Sequence, residues 1–85
     1  MVDAADRAVE GVRAAIRAVE ALSDPMDRLR AASVLLREWP DIHRTVREVR
    51  QQAVLTLQRQ GLSNAAIGRL IGTSGQRVGQ IARGE

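Results

Sequence analysis

Apolar residues recur along this chain in steps of three and four, the spacing that places them on one side of an α-helix. Val2, Ala5, Val9, Val12, Ile16 and Val19 step by 3, 4, 3, 4, 3, which predicts a first helix from about Asp3 to Leu22. That narrow stripe is a heptad seam, suited to self-association and equally to packing on a neighbouring helix of the same chain. Ser23-Asp24-Pro25 reads as a helix start, a capping side chain followed by a proline whose missing N–H costs nothing there. The second helix then turns Leu29, Ala32, Leu35 or Leu36, and Trp39 inward. Pro40 disfavours helical geometry at Trp39, so the simplest reading ends the helix there and opens a third with Pro40 as an early residue. Leu35, Trp39, Ile42, Val46, Val49 and Ala53 nonetheless keep one helical phase across the proline, so a kinked continuous helix is the alternative. The third helix reaches about Gln60 with Ile42, Val46, Val49, Ala53 and Leu57 as its core face. Trp39, the one aromatic residue, is expected to be buried where the second and third helices meet.

Gly61 suits the position just past that helix, with Leu62 folding back over the last turn. Ser63 can cap a fourth helix with Ile67, Leu70 and Ile71 at i, i+3, i+4, and Gly72 follows where a positive φ lets the chain reverse. Gly68, without a Cβ, lets a following helix cross close over the fourth. Thr73 or Ser74 can cap a fifth helix, Ser74 to Arg83, with Val78 and Ile81 on its core side. The expected fold is therefore all-α with about five helices. Residues 1–40 make an N-terminal helical arm, the expected dimerisation element through Val9, Val12, Ile16 and Val19. Residues 41–85 make a helix-turn-helix DNA-binding region. A helical hairpin that only packs is the plainer reading of the same pattern.

On the fifth helix, Gln76, Gly79, Gln80 and Arg83 point away from Val78 and Ile81, with Arg77 on the flank. A glutamine amide can pair with adenine N6 and N7 in the major groove, so these four are the expected base-contacting positions. Arg77 suits a phosphate or a guanine at the edge of the footprint. Ser63, Asn64, Arg69, Thr73 and Ser74 join it as expected phosphate contacts. Gly75 and Gly79 are poor helix formers, so each needs a compensating benefit. Close approach to the groove floor is one, and packing against a partner chain is another. Arg44, Arg47, Arg50 and Arg59 lie on the outward face of the preceding helix, as phosphate contacts or as solvated charge.

Charge agrees with this division. All 13 basic residues are arginine; residues 1–43 carry a net −2 and residues 44–85 a net +5. A phosphate backbone attracts the second half. Chemistry is scarce: there is no Cys, Lys or Tyr, and His43 is the only histidine. No nucleophile–base pair and no metal-ligand set can be assembled, so neither enzyme activity nor a cofactor nor a metal is expected. The start Met-Val-Asp-Ala-Ala-Asp lacks a signal-peptide layout and no apolar run is long enough for a membrane span. The cytoplasm, at the nucleoid, is the expected location.

Thr73-Ser74-Gly75-Gln76-Arg77-Val78-Gly79-Gln80-Ile81 resembles the promoter-reading helix of the C-terminal domain of bacterial sigma factors. The match covers Ser74, Arg77, Val78, Gln80 and Ile81. Sigma helices tend to carry Arg at the positions of Gly75 and Gly79 and Glu at that of Gln76. The resemblance thus implies a fold and a DNA role rather than a target. The chain as a whole resembles the small actinobacterial-type helix-turn-helix proteins of high-GC bacteria. The function this implies is double-stranded DNA binding, as a small transcription regulator or nucleoid-associated protein acting as a homodimer. The competing reading is a protein-interaction adaptor of the transcription machinery, with RNA polymerase as its contact and no DNA binding of its own.

Overall fold

Each helix of this protein begins where a capping side chain stands. The structure, a computed structural model, describes residues 3–85, and among them it is all-helical with four helices and no strand. Helix α1 is Ala4–Glu20, α2 is Pro25–Arg59, α3 is Asn64–Ile71 and α4 is Gly75–Ala82. Asp3 caps α1 by accepting from the Asp6 N–H at 2.9 Å. Asp24 does the same for α2, accepting from the Met26 N–H at 2.8 Å, with Pro25 as the first helical residue. The Arg28 guanidinium donates to the Leu22 carbonyl at 2.6 Å and fixes the short connection between α1 and α2.

The helix count corrects the expectation of five. Pro40 lies inside α2, and the second and third predicted helices are one helix of 35 residues. A proline within a helix removes one backbone donor and costs about 3 kcal/mol. Here the bereft acceptor is the carbonyl of Leu36, an exposed residue, so water can take the missing donor's place. The unbroken apolar phase from Leu35 to Ala53 was the stronger signal.

The chain divides into two units, one ending at Trp39 and the other Pro40–Glu85. In the first, no residue of α1 is buried. Ile16 and Val19 of α1, with Ala32, Leu35, Leu36 and Trp39 of α2, line an open apolar cleft. Leu29 and Leu36 are exposed rather than core. Trp39, expected to be buried, is 47% exposed, because the helix junction that was to enclose it does not form. Val2, the first residue of the predicted seam, lies outside the described residues.

The second unit has a small closed core of Val54, Ile67, Val78 and Ile81, with Leu57, Leu62 and Ala82 packed against it. The predicted core face of this part of α2 was only partly right. Leu57 packs on the core, but Ile42, Val46, Val49 and Ala53 are exposed. The face that meets the core instead carries Arg47, Gln51, Val54 and Gln58. Gln51 donates to the Ala82 carbonyl at 3.0 Å and Arg47 to the Gly84 carbonyl at 3.2 Å. Gln58 donates to Asn64 Oδ1 at 2.7 Å.

Candidate nucleic-acid interface

The segment from Gly61 to Arg83 is built by local signals that agree with one another. Gly61 takes a positive φ of 95°, and the Leu62 N–H bonds back to the Leu57 carbonyl at 3.1 Å, which ends α2 and lays Leu62 on the core. Ser63 then accepts from the Ala66 N–H at 3.1 Å and starts α3. Gly72 ends it in the left-handed region with φ 80°, and the Thr73 N–H closes onto the Gly68 carbonyl at 2.8 Å. Ser74 starts α4 by accepting from the Arg77 N–H at 3.1 Å. Two residues, Thr73 and Ser74, separate the turn glycine from the next helix.

Close packing of α3 on α4 depends on two missing side chains. A Cβ on Gly68 would stand 2.5 Å from the Thr73 carbonyl oxygen, inside any allowed contact. A Cβ on Gly75 would stand 3.1 Å from the Ala65 nitrogen and 3.2 Å from its Cα. Helix packing within the chain therefore accounts for Gly75, a reason not considered from the sequence alone. Gly79 differs: a Cβ there would meet Asn64 Nδ2 at 3.4 Å, an ordinary contact.

With Val78 and Ile81 buried, the 100° step of a helix sets Gln76, Gln80 and Arg83 on the side of α4 away from the core. Gln76 and Arg83 are exposed and Gln80 is half-buried. Arg77 lies on the flank, half-buried, and donates to Gln80 Oε1 at 3.2 Å. Arg83 is paired with Glu85 at 2.8 Å. The remaining candidates are scattered by role. The Ser63 and Ser74 hydroxyls accept cap bonds, Asn64 Oδ1 accepts from Gln58, Thr73 is half-buried in the turn, and Arg69 is exposed on α3. On α2, the outward arginines are not equivalent. Arg44 pairs with Asp41, Arg47 turns to the Gly84 carbonyl, and Arg59 donates to Thr56 Oγ1 at 3.1 Å. Arg47 and Gln51, which tie α2 to the end of α4, were missed as structural ties. Their spacing with Val54 and Gln58, at i, i+4, i+7, i+11, was the available signal.

Leu70 and Ile71, which share the helical spacing of Ile67, are 74% and 58% exposed. Among the described residues no cluster of three or more His, Asp or Glu side chains could hold a metal ion, and no helix is long and apolar enough to cross a membrane. No family model, curated protein or solved structure matches the chain.

Proposed function

We propose that this chain binds double-stranded DNA through α3 and α4, as a small transcription regulator or nucleoid-associated protein of the cytoplasm. The observation that carries this reading is the outer side of α4. Gln76, Gln80 and Arg83 are left over there by a helix whose other side is committed to the core. The excess of arginine in residues 44–85 supports it, since each phosphate neutralised releases counterions. A gel shift with random genomic fragments tests it directly. Retardation that weakens steeply between low and moderate salt is expected, and its absence at low salt overturns the reading. The exposed pair Leu70 and Ile71 favours the adaptor reading instead, in which α3 meets a protein such as RNA polymerase and no shift occurs.

A single helix pair of this size offers little contact, so two copies binding two half-sites is the economical arrangement. The half-exposed Val9, Val12 and Ile16 of α1, with Val19 beside them, are the proposed dimerisation seam. Ile16→Asp puts a charge into that seam without disturbing a buried core. It should leave the chain helical and raise its dimer dissociation constant at least tenfold in sedimentation equilibrium. A wild type that is monomeric at micromolar concentration, with or without DNA, sinks the dimer.

Gly79 separates stability from binding. Alanine is the better helix former by about 1 kcal/mol, and the space for its Cβ exists. Gly79→Ala should raise the melting temperature. If Gly79 serves close approach to DNA, the same variant should bind more weakly. Equal affinity in a gel shift would show that the groove floor does not reach this residue.

A further inference from the structure

We propose that the gap left by the missing side chain of Gly79 seats one phosphate of the DNA backbone, held by Asn64 and Arg83. The inference rests on DNA binding through α3 and α4, and it adds where a second strand is gripped. The first observation is what rims the gap. A Cβ on Gly79 would stand 3.4 Å from Asn64 Nδ2 and 3.6 Å from Arg83 Nη1. Apart from its chain neighbours and its own helix backbone, nothing else comes within 4 Å. Both atoms are nitrogens that only donate, and the guanidinium is always charged. A gap rimmed by donors alone suits an oxygen that only accepts, and an anionic one best. With no Cβ in the way, such an oxygen can rest on the Gly79 α-carbon at about 3.3–3.6 Å while both donors reach it.

The second observation is that both donors are aimed and free. Asn64 Oδ1 is taken by the Gln58 amide at 2.7 Å, which fixes the Asn64 amide with its NH2 group toward Gly79. Arg83 uses Nε for its exposed pair with Glu85, so Nη1 is left over. Gly79 and Asn64 are half-buried and Arg83 is exposed, so the seat opens outward.

The third observation is position around α4. Residues 77 and 79 are about 200° apart on a helix. Gly79 therefore lies on the flank beside the start of α3, and Arg77 lies on the other, with Gln76 and Gln80 between them. A helix in the major groove has a phosphate strand on each side. Arg77 faces one strand and the Gly79 seat faces the other. This assigns Arg83 to the backbone and leaves Gln76 and Gln80 for the bases.

Asn64→Asp tests the seat. It keeps the acceptor that Gln58 needs, and a carboxylate suits the first turn of α3, so the variant should melt no lower than the wild type. It also replaces the NH2 group with a charged oxygen, so affinity for every duplex should fall at least tenfold at low salt. A duplex that the wild type binds is then remade with a neutral methylphosphonate at one phosphate at a time. In each half-site one such substitution should erase the Asn64→Asp loss, and another, on the opposite strand, should erase the Arg77→Ala loss. Gly79→Ala, which fills the gap, should lose affinity for all sequences alike. If Asn64→Asp binds like the wild type, or no methylphosphonate relieves it, no phosphate sits at Gly79. A Gly79→Ala loss that differs between sequences puts a base there instead. A wild type that retards no DNA overturns the underlying reading together with the seat, a result distinct from either of these.

Discussion

Gly68→Ala should unfold the C-terminal unit at a lower temperature than any other single-methyl addition to this chain. The added carbon would lie 2.5 Å from the Thr73 carbonyl oxygen, 3.0 Å from the Ser74 carbonyl carbon and 3.2 Å from the Gly75 nitrogen. All three atoms are backbone, and the Thr73 N–H is bonded to the Gly68 carbonyl at 2.8 Å, so the turn cannot swing away. Overpacking of this kind costs about 1–3 kcal/mol. A small domain has only about 0.05–0.15 kcal/mol of stability per residue, so that loss is a large part of what holds the unit together. Gly11→Ala is the matched control. Its Cβ meets nothing within 4 Å, it lies within α1, and it should stabilise that helix by about 1 kcal/mol. Thermal melts followed at 222 nm compare the two. A Gly68→Ala protein that melts with the wild type would mean that α3 and α4 do not cross as closely as the structure has them.

Gly68 was legible in the sequence, and so were Ser63, Gly72, Ser74, Gly61 and Leu62. Each acts on residues at most seven positions away, through a cap, a left-handed turn, a returning N–H or a close backbone approach, so the local sequence contains the whole cause. The inward side of α4 was legible for a related reason: Val78 and Ile81 are the only aliphatic pair at helical spacing there. Burial elsewhere was not. Periodicity tells which side of a helix is apolar, but not whether another element exists to cover it. Ile42, Val46 and Val49 form a proper stripe and remain exposed because α3 and α4 engage a different side of α2. Leu70 and Ile71 fit the spacing of Ile67, yet only Ile67 meets Val54, Val78 and Ile81.

Pro40 shows two local rules in conflict. The preference of residue 39 for extended geometry argued for a break, while the register from Leu35 to Ala53 argued for continuity, and continuity prevailed. Trp39 followed from that choice, since a buried junction needs two helices to meet. Gly75 was legible as a conspicuous residue but not for its reason. Its neighbours, Ala65 and the carbonyl carbon of Asn64, lie ten or more positions earlier, and only the packed pair brings them near.

If α4 reads DNA as proposed, loss of Gln80 and loss of Arg77 should damage recognition in different ways and not independently. Gln80 is on the outer side of α4, so Gln80→Ala should relax preference at one base pair by about 1–3 kcal/mol. Gln76→Ala should do the same at a neighbouring base. Arg77 is on the flank, where the proposed DNA binding would place a phosphate, so Arg77→Ala should weaken binding to every sequence and flatten the salt dependence by about one unit of slope. The Arg77 guanidinium also donates to Gln80 Oε1 at 3.2 Å. That bond holds the glutamine amide in one orientation, with its NH2 group and one Oε1 lone pair left for a base. Arg77→Ala should therefore blur the preference at the Gln80 base pair as well. The double variant should lose less than the sum of the single ones, with a coupling of about 0.5–3 kcal/mol. Selection of bound sites from a random library, followed by titration at several salt concentrations, measures all of these. Strict additivity would mean that the Arg77–Gln80 bond plays no part in reading DNA. Unchanged site preference in Gln76→Ala and Gln80→Ala would mean that α4 does not enter the groove by this side.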